Sequence, residues 1–252
     1  KVKLTNEQID LYSRQITLKK IGPVGQEKLL KSKILVVGMG GLGTPAAVYL
    51  ARMGIGNLGI VDNDKIDPSN LHRQILYNLD EINKNKIEIA KSKLQKINPN
   101  INIKTFDLRI DKNNIDKIAK NYEIIIDGSD NFETKFLIND YCKKNKKILI
   151  LAAINKFDGH IFTFNFKNKK NSPCLKCFIP NTQIEDTSCE REGVVGSLAG
   201  IAGSIQANEA VKEILMIGES LCGYILIIDT LKLKFKKIKL NKLKNCICDK
   251  KI

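Results

Sequence analysis

No apolar run in this sequence approaches the roughly 20 residues that a helix needs to span a bilayer, and the opening stretch 1-KVKLTNEQIDLYSRQ lacks the apolar segment of a signal peptide. Both absences favour a cytoplasmic protein and exclude a helical membrane protein. Arginine is scarce, occurring only at positions 14, 52, 73, 109 and 191, so lysine makes up the other 37 of the 42 basic residues. A formal net charge of +15 would suit a nucleic-acid ligand. Lysines scattered among many Ile and Asn residues instead read as compositional bias at solvated positions, and nucleic-acid binding is not expected. Repeats are absent, as is any linker rich in Pro, Gly or Ser, so a single domain is expected. Seven cysteines, an odd number, argue against a disulfide framework.

What is present is an alternation. A chain of 252 residues that is 43% hydrophobic supports a sizeable core. Residues 5–33 read as two short helices, with Thr5 as an N-cap. Strands are expected at 34–38, 57–62, 101–107 and 123–127, with helices at 42–53, about 82–97, and 113–120 between them. This order predicts an α/β fold, a Rossmann-like parallel sheet covered on both faces. Beyond 148-ILILAAI the texture changes. Segments 158-DGHIFTFNF and 223-GYILIIDTLKLKFKKIKL read as strands joined without helices, an antiparallel continuation, while 197–216 reads as a long helix of small residues.

Gly38, Gly40 and Gly43 form G-x-G-x-x-G between a strand and a helix, which lets backbone amides approach phosphate at the helix N-terminus. Asp62 ends the next strand, where a carboxylate accepts hydrogen bonds from ribose hydroxyls. These features fit a dinucleotide or ATP. Asn70 and Arg73 in 69-SNLHRQ, with Lys86 at the start of a helix, decide between them, because a triphosphate needs cations that a nicotinamide dinucleotide does not. In 127-DGSDN, Asp127 and Asp130 fall at the end of a third parallel strand, where a carboxylate can hold Mg²⁺. Cys174 and Cys177 form C-x-x-C, and Cys246 and Cys248 form C-x-C. Cys142 and Cys222 read as small core residues.

The segments 12-YSRQI, 38-GMGGLG, 62-DND, 69-SNLHRQ, 127-DGSDN, 174-CLKC and 193-GVVGSLAGIAGSIQANEAVK together resemble the ThiF/MoeB family. These enzymes adenylate ubiquitin-like sulfur carrier proteins and are related to ubiquitin-activating enzymes. The resemblance implies a homodimer that binds ATP with Mg²⁺ and converts the C-terminal Gly-Gly carboxylate of a ThiS-like or MoaD-like carrier into an acyl-adenylate, releasing pyrophosphate. It serves thiamine or molybdopterin synthesis, and 43-GTPAAVYLA with 193-GVVG leans toward thiamine. By the same resemblance, Gly41 and its neighbours approach the nucleotide and Asp62 holds the ribose. Asn70, Arg73 and Lys86 grip phosphate, and Asp130 holds Mg²⁺. Asp64 and Asn131 join the cofactor contacts, and Arg14 reaches phosphate from the other subunit. Cys174, Cys177, Cys246 and Cys248 become a Zn²⁺ set with one shortened knuckle.

Lys135, Gly128 and His72 replace the family's more usual Arg, Cys and Gln, and His72 reads as a tolerated surface change. Residues 1–33 form a helical arm, 34–147 the nucleotide-binding half, and 148–252 the carrier-binding half with a crossover loop at about 180–192. Cys189 in that loop, beside Arg191, is a candidate nucleophile toward the carrier. With no rhodanese-like domain expected, sulfur would come from a separate donor such as a cysteine desulfurase. Two rival readings are an enzyme that adenylates a tRNA carboxylate, and an NAD-binding oxidoreductase.

Overall fold

The central strands of this chain are built from branched apolar residues whose alternate side chains enter two different cores. In the computed structural model, which describes residues 3–168, 172–180, 193–244 and 246, the first five strands are parallel. They are β1 (Lys33–Val37), β2 (Asn57–Val61), β3 (Asn102–Phe106), β4 (Ile124–Asp127) and β5 (Ile148–Asn155). Ile34, Val36, Ile124 and Ile126 face one core, while Leu35, Val37 and Ile125 face the other. Burial on both faces explains why these strands read as continuous apolar runs. Three antiparallel strands continue the sheet: β6 (Asp158–Asn165), β7 (Tyr224–Asp229) and β8 (Lys234–Lys239). The full order is β3-β2-β1-β4-β5-β6-β7-β8.

Helices follow the expected alternation. Toward one face lie α4 (Gly43–Arg52), α5 (Lys86–Ile97) and α9 (Gly196–Leu215); toward the other lie α6 (Ile115–Ala119) and α7 (Phe132–Lys144). A short helix, α8 (Leu175–Phe178), carries Cys177. Ala207, Ala210 and Val211 of α9 pack with Ala46, Ala47 and Leu50 of α4 in one core, the close approach that small residues permit. Cys142 and Cys222 are buried, as expected of core residues.

Two boundaries differ from expectation. Residues 5–33 hold three helices where two were expected, α1 (Asn6–Leu11), α2 (Ser13–Ile16) and α3 (Gly22–Lys31), the last with proline in its first turn. Thr5 caps α1, its hydroxyl accepting from the Gln8 amide while the Gln8 side chain accepts from the Thr5 amide. The helix expected from 82 starts at Lys86 because Leu79–Glu81 close a 3₁₀ turn and Asn83 takes a left-handed conformation, φ +67°. The expected crossover loop beyond Pro180, with Cys189 and Arg191, and also Cys248, lie outside the described residues.

Among the described residues, no helix is long and apolar enough to cross a membrane.

Candidate nucleotide-binding site

Connections from β1 lead first to β2 and then β3 on one side, whereas β4 lies against its other edge. The crevice at that reversal, outside the carboxyl ends of the strands, is where an open α/β sheet takes its ligand. Here it is a cavity of about 940 Å³.

The glycine turn forms its floor. Gly38 has φ +85°, and a Cβ on Gly43 would stand 1.7 Å from the Gly38 carbonyl oxygen, so both positions demand glycine. Gly38, Gly40 and Gly41 line the cavity. Gly43 instead lets α4 begin directly against the turn. Met39 fixes the turn from both sides: its amide donates to Asp62 Oδ2 at 2.7 Å, and its carbonyl accepts from the Tyr77 hydroxyl at 2.9 Å. Asp62 also accepts from the Asp64 amide at 2.8 Å. Burial pushes the Asp62 carboxyl above its ordinary value, while nearby Lys86 and these amide donors pull it back.

Each cation of the cavity except one faces a carboxylate. Lys86 begins α5, is buried, and donates to Asp64 at 2.9 Å. The buried Lys135 ammonium lies 3.6 Å from Asp127 and donates to the Ala152 carbonyl at 2.9 Å. Arg109 meets Glu133 at 3.1 Å. Arg73, on the turn that follows the Pro68–Asn70 3₁₀ helix, donates to the Ser69 carbonyl and has no carboxylate partner among the described residues. It is the cation most available to an arriving anion.

Asn70, Asp64, Asp130 and Asn131 also line the cavity, so of the residues expected to contact the nucleotide from this chain only Gly43 is missing from the lining. Asp130 is exposed at the mouth. Asn131 caps α7 by accepting from the Thr134 amide at 2.9 Å, and its amide nitrogen donates to Asp130 Oδ1 at 3.3 Å. Asp127 is wholly buried and accepts from the amide and hydroxyl of Ser129, so it shapes the loop that presents Asp130. His72 lines the cavity beside Arg73. Nothing near Arg109 in the sequence marks it as part of the cavity, and Lys135 stands out there only as a replacement for the family's more usual Arg.

Arg14 does not line this cavity. Its neighbours are tied to the opposite end of α4: Asn98 donates to both the Tyr12 hydroxyl and the Ala51 carbonyl at 2.7 Å, and Gln15 donates to the Met53 carbonyl at 3.0 Å. The ten residues of α4 separate that end from the glycine turn by about 15 Å.

A second cluster lies against the other core. The Sγ atoms of Cys174, Cys177 and Cys246 all fall within 4.8 Å of one another and are buried. Cys174 is 3.9 Å from Cys177 and 3.6 Å from Cys246, too far apart for a disulfide. Four thiolates at about 2.3 Å around a tetrahedral Zn²⁺ stand about 3.8 Å from one another. The three thiols therefore fit such an ion.

The family model described as "ThiF family" matches residues 12–250. A sulfur carrier protein adenylyltransferase of Thermus thermophilus is 37% identical over 246 residues, covering 96% of this chain and 91% of that protein. A probable molybdopterin-synthase adenylyltransferase of Porphyra purpurea is 44% identical over 237 residues, and there the match covers 93% of this chain but 61% of the relative. The SAMP-activating enzyme E1 of Haloferax volcanii is 38% identical, with 92% and 85% covered. In fold the chain is similar to E. coli MccB, with a TM-score of 0.84 at 24% identity over 98% of this chain and 73% of that one.

Proposed function

The chain belongs to the ThiF family, and on that premise we propose that it adenylates the C-terminal Gly-Gly carboxylate of a ubiquitin-like sulfur carrier, consuming ATP and releasing pyrophosphate. The observation that carries the reading is the convergence of Arg73, Asn70, Lys86, Asp62 and Asp130 on one cavity around a pinned glycine turn. Relatives named for sulfur carriers and for molybdopterin synthase support a role in thiamine or molybdopterin synthesis. An NAD-binding oxidoreductase is set aside by the family, and the tRNA-adenylating alternative has less support than the carrier reading.

A carboxylate is a weak nucleophile and a poor acyl donor, and its attack on the α-phosphorus brings two anions together. The residues of the cavity address that charge. The turn amides and the N-terminus of α4 receive phosphate. Arg73 neutralises it, Lys86 shares its charge between Asp64 and the nucleotide, and Asn70 donates an amide. Asp62 accepts from the ribose, which orients the α-phosphate for in-line attack. Asp130 is the residue to hold Mg²⁺, which when bound shields the phosphate oxygens and stabilises departing pyrophosphate. The step calls for charge stabilisation and placement, so the cavity is furnished with Arg, Lys, Asn and Asp.

Arg14 is proposed to act in a homodimer, contributing to the partner's site, because its anchorage at the far end of α4 keeps it from its own. Cys248 is proposed as the fourth ligand of a zinc knuckle, and Cys189 as a thiol toward the carrier. Such a thiolate site suits the reducing cytoplasm. The antiparallel extension, whose last strand β8 is exposed along its whole length, is proposed to face the carrier, with a cysteine desulfurase as the outside source of sulfur.

The test is exchange of labelled pyrophosphate into ATP with purified ThiS-like and MoaD-like carriers. Exchange with one of them, abolished by Asp130→Ala in a folded protein, is expected. Absence of exchange with both carriers would overturn the proposal, and near-normal exchange in Asp130→Ala would remove Asp130 from it.

A further inference from the structure

Resting on the nucleotide reading above, we propose that the Arg109–Glu133 ion pair is a clasp over the base end of the nucleotide, so that Arg109 is a binding residue for the purine and Glu133 positions it.

The cavity is two-sided. The glycine turn, Arg73 and Lys86 supply its polar part, and Asp62 lies beneath the turn. Leu108, Ile110 and Phe132 also line it and pack against the core that holds Leu35 and Ile125, which gives the cavity an apolar wall. Phosphates belong with the first group. Once the ribose is held at Asp62, the planar base has this apolar wall as its complementary surface.

Arg109, between Leu108 and Ile110 in the lining, meets Glu133, the residue that follows Phe132. Arg109 follows β3 and Glu133 lies in the first turn of α7, after β4. Those strands are three positions apart in the sheet, about 14 Å at the usual spacing. A side-chain contact of 3.1 Å therefore requires the segment after β3 to fold back across the ends of β2 and β1. That segment is fixed where it turns: the Asn114 side chain donates to the Arg109 carbonyl at 2.9 Å, and Asn114 accepts from the Asp111 amide at 2.8 Å. The Arg109 backbone is thus held while its side chain, itself part of the cavity lining, is exposed. A guanidinium so placed presents a flat face to a flat base, and the geometry suits stacking.

An ordinary surface ion pair is the competing account. Glu133 also favours the α7 N-terminus electrostatically, whatever Arg109 does. The two accounts differ in what a nucleotide senses. Occupancy of the wall by a base withdraws the pair from water and strengthens it, whereas a ligand without a base leaves it unchanged.

Calorimetric binding of ATP and of inorganic tripolyphosphate to the full chain separates them. Arg109→Ala is expected to weaken ATP roughly five-fold, the scale of one exposed ion pair, and Glu133→Ala by less. Tripolyphosphate binding should not change, and melting temperature should stay with the parent in Arg109→Ala. In pyrophosphate exchange the loss should appear in KM for ATP with kcat retained, and the reversed pair Arg109→Glu with Glu133→Arg should recover part of the affinity lost in Arg109→Glu alone. ATP affinity within two-fold of the parent in Arg109→Ala would overturn the clasp, as would an equal loss for tripolyphosphate, which would move Arg109 to the phosphates. Failure of the parent chain to bind ATP would instead remove the nucleotide reading itself, and the clasp with it.

Discussion

Lys135, part of the cavity lining, places its ammonium 3.6 Å from Asp127, with both side chains buried. Asp127 in turn receives the amide and hydroxyl of Ser129, one residue before Asp130. The pair therefore supports the loop that carries the Mg²⁺ candidate, and the second carboxylate oxygen of Asp127, Oδ2, has no hydrogen-bond partner among the described residues.

Removing the cation alone would leave a buried carboxylate uncompensated. Lys135→Ala should cost about 3–5 kcal/mol of stability, read as a lower urea midpoint. Lys135→Arg should keep the ion pair, and its forked donors suit a carboxylate with an oxygen to spare. A variant Lys135→Ala as stable as the parent would show that Asp127 is held by Ser129 alone.

Acid should weaken nucleoside binding through Asp62. Burial raises its folded carboxyl above the ordinary value, so the folded chain holds that proton more tightly than the unfolded chain does. Its desolvation thus costs stability at neutral pH, and the cost is relieved as pH falls. Ribose binding has the opposite sign, since only the carboxylate accepts from both hydroxyl and amide. The affinity for uncharged adenosine should fall on acidification, beginning above the ordinary carboxylate range, and Asp62→Asn should abolish that pH dependence while lowering affinity throughout. A pH-independent affinity in the parent would take Asp62 out of the ribose site.

Arg14 and Arg73 should complement each other across a two-fold dimer. Arg14→Ala and Arg73→Ala homodimers are each expected to be inactive. Mixed under subunit exchange, some heterodimers carry one cavity with both arginines, and activity should return to about one working site in four at most. No recovery, despite demonstrated exchange, would confine Arg14 to its own chain or to a structural role.

The cysteine cluster should bind about one zinc per chain, measured by metal analysis of the purified protein. Its sulfur separations match a tetrahedral thiolate site, and the ion would clip the end of the chain onto α8. Cys174→Ser should lower the melting temperature, as should a strong chelator, while ATP affinity is retained. A metal-free preparation with the full melting temperature would show that the thiols pack without an ion.

The strands and most helices were legible in the sequence because they are local. Burial on two faces writes itself as runs such as 34-ILVV, a glycine turn needs its glycines at fixed spacing, and a carboxylate at the end of the next strand follows from the length of one helix. The start of α5 was not legible at 82, since an apolar residue closing a 3₁₀ turn looks like one opening a helix. Tertiary structure alone decided what meets across the sheet. Strand order, with β1 between β2 and β4, brings Arg109 to Glu133, while helix packing sets Lys135 against Asp127, Cys174 beside Cys246 and Arg14 a helix length from its own cavity. Those distances depend on strand order and on which face each helix covers, and side-chain periodicity along the chain encodes neither.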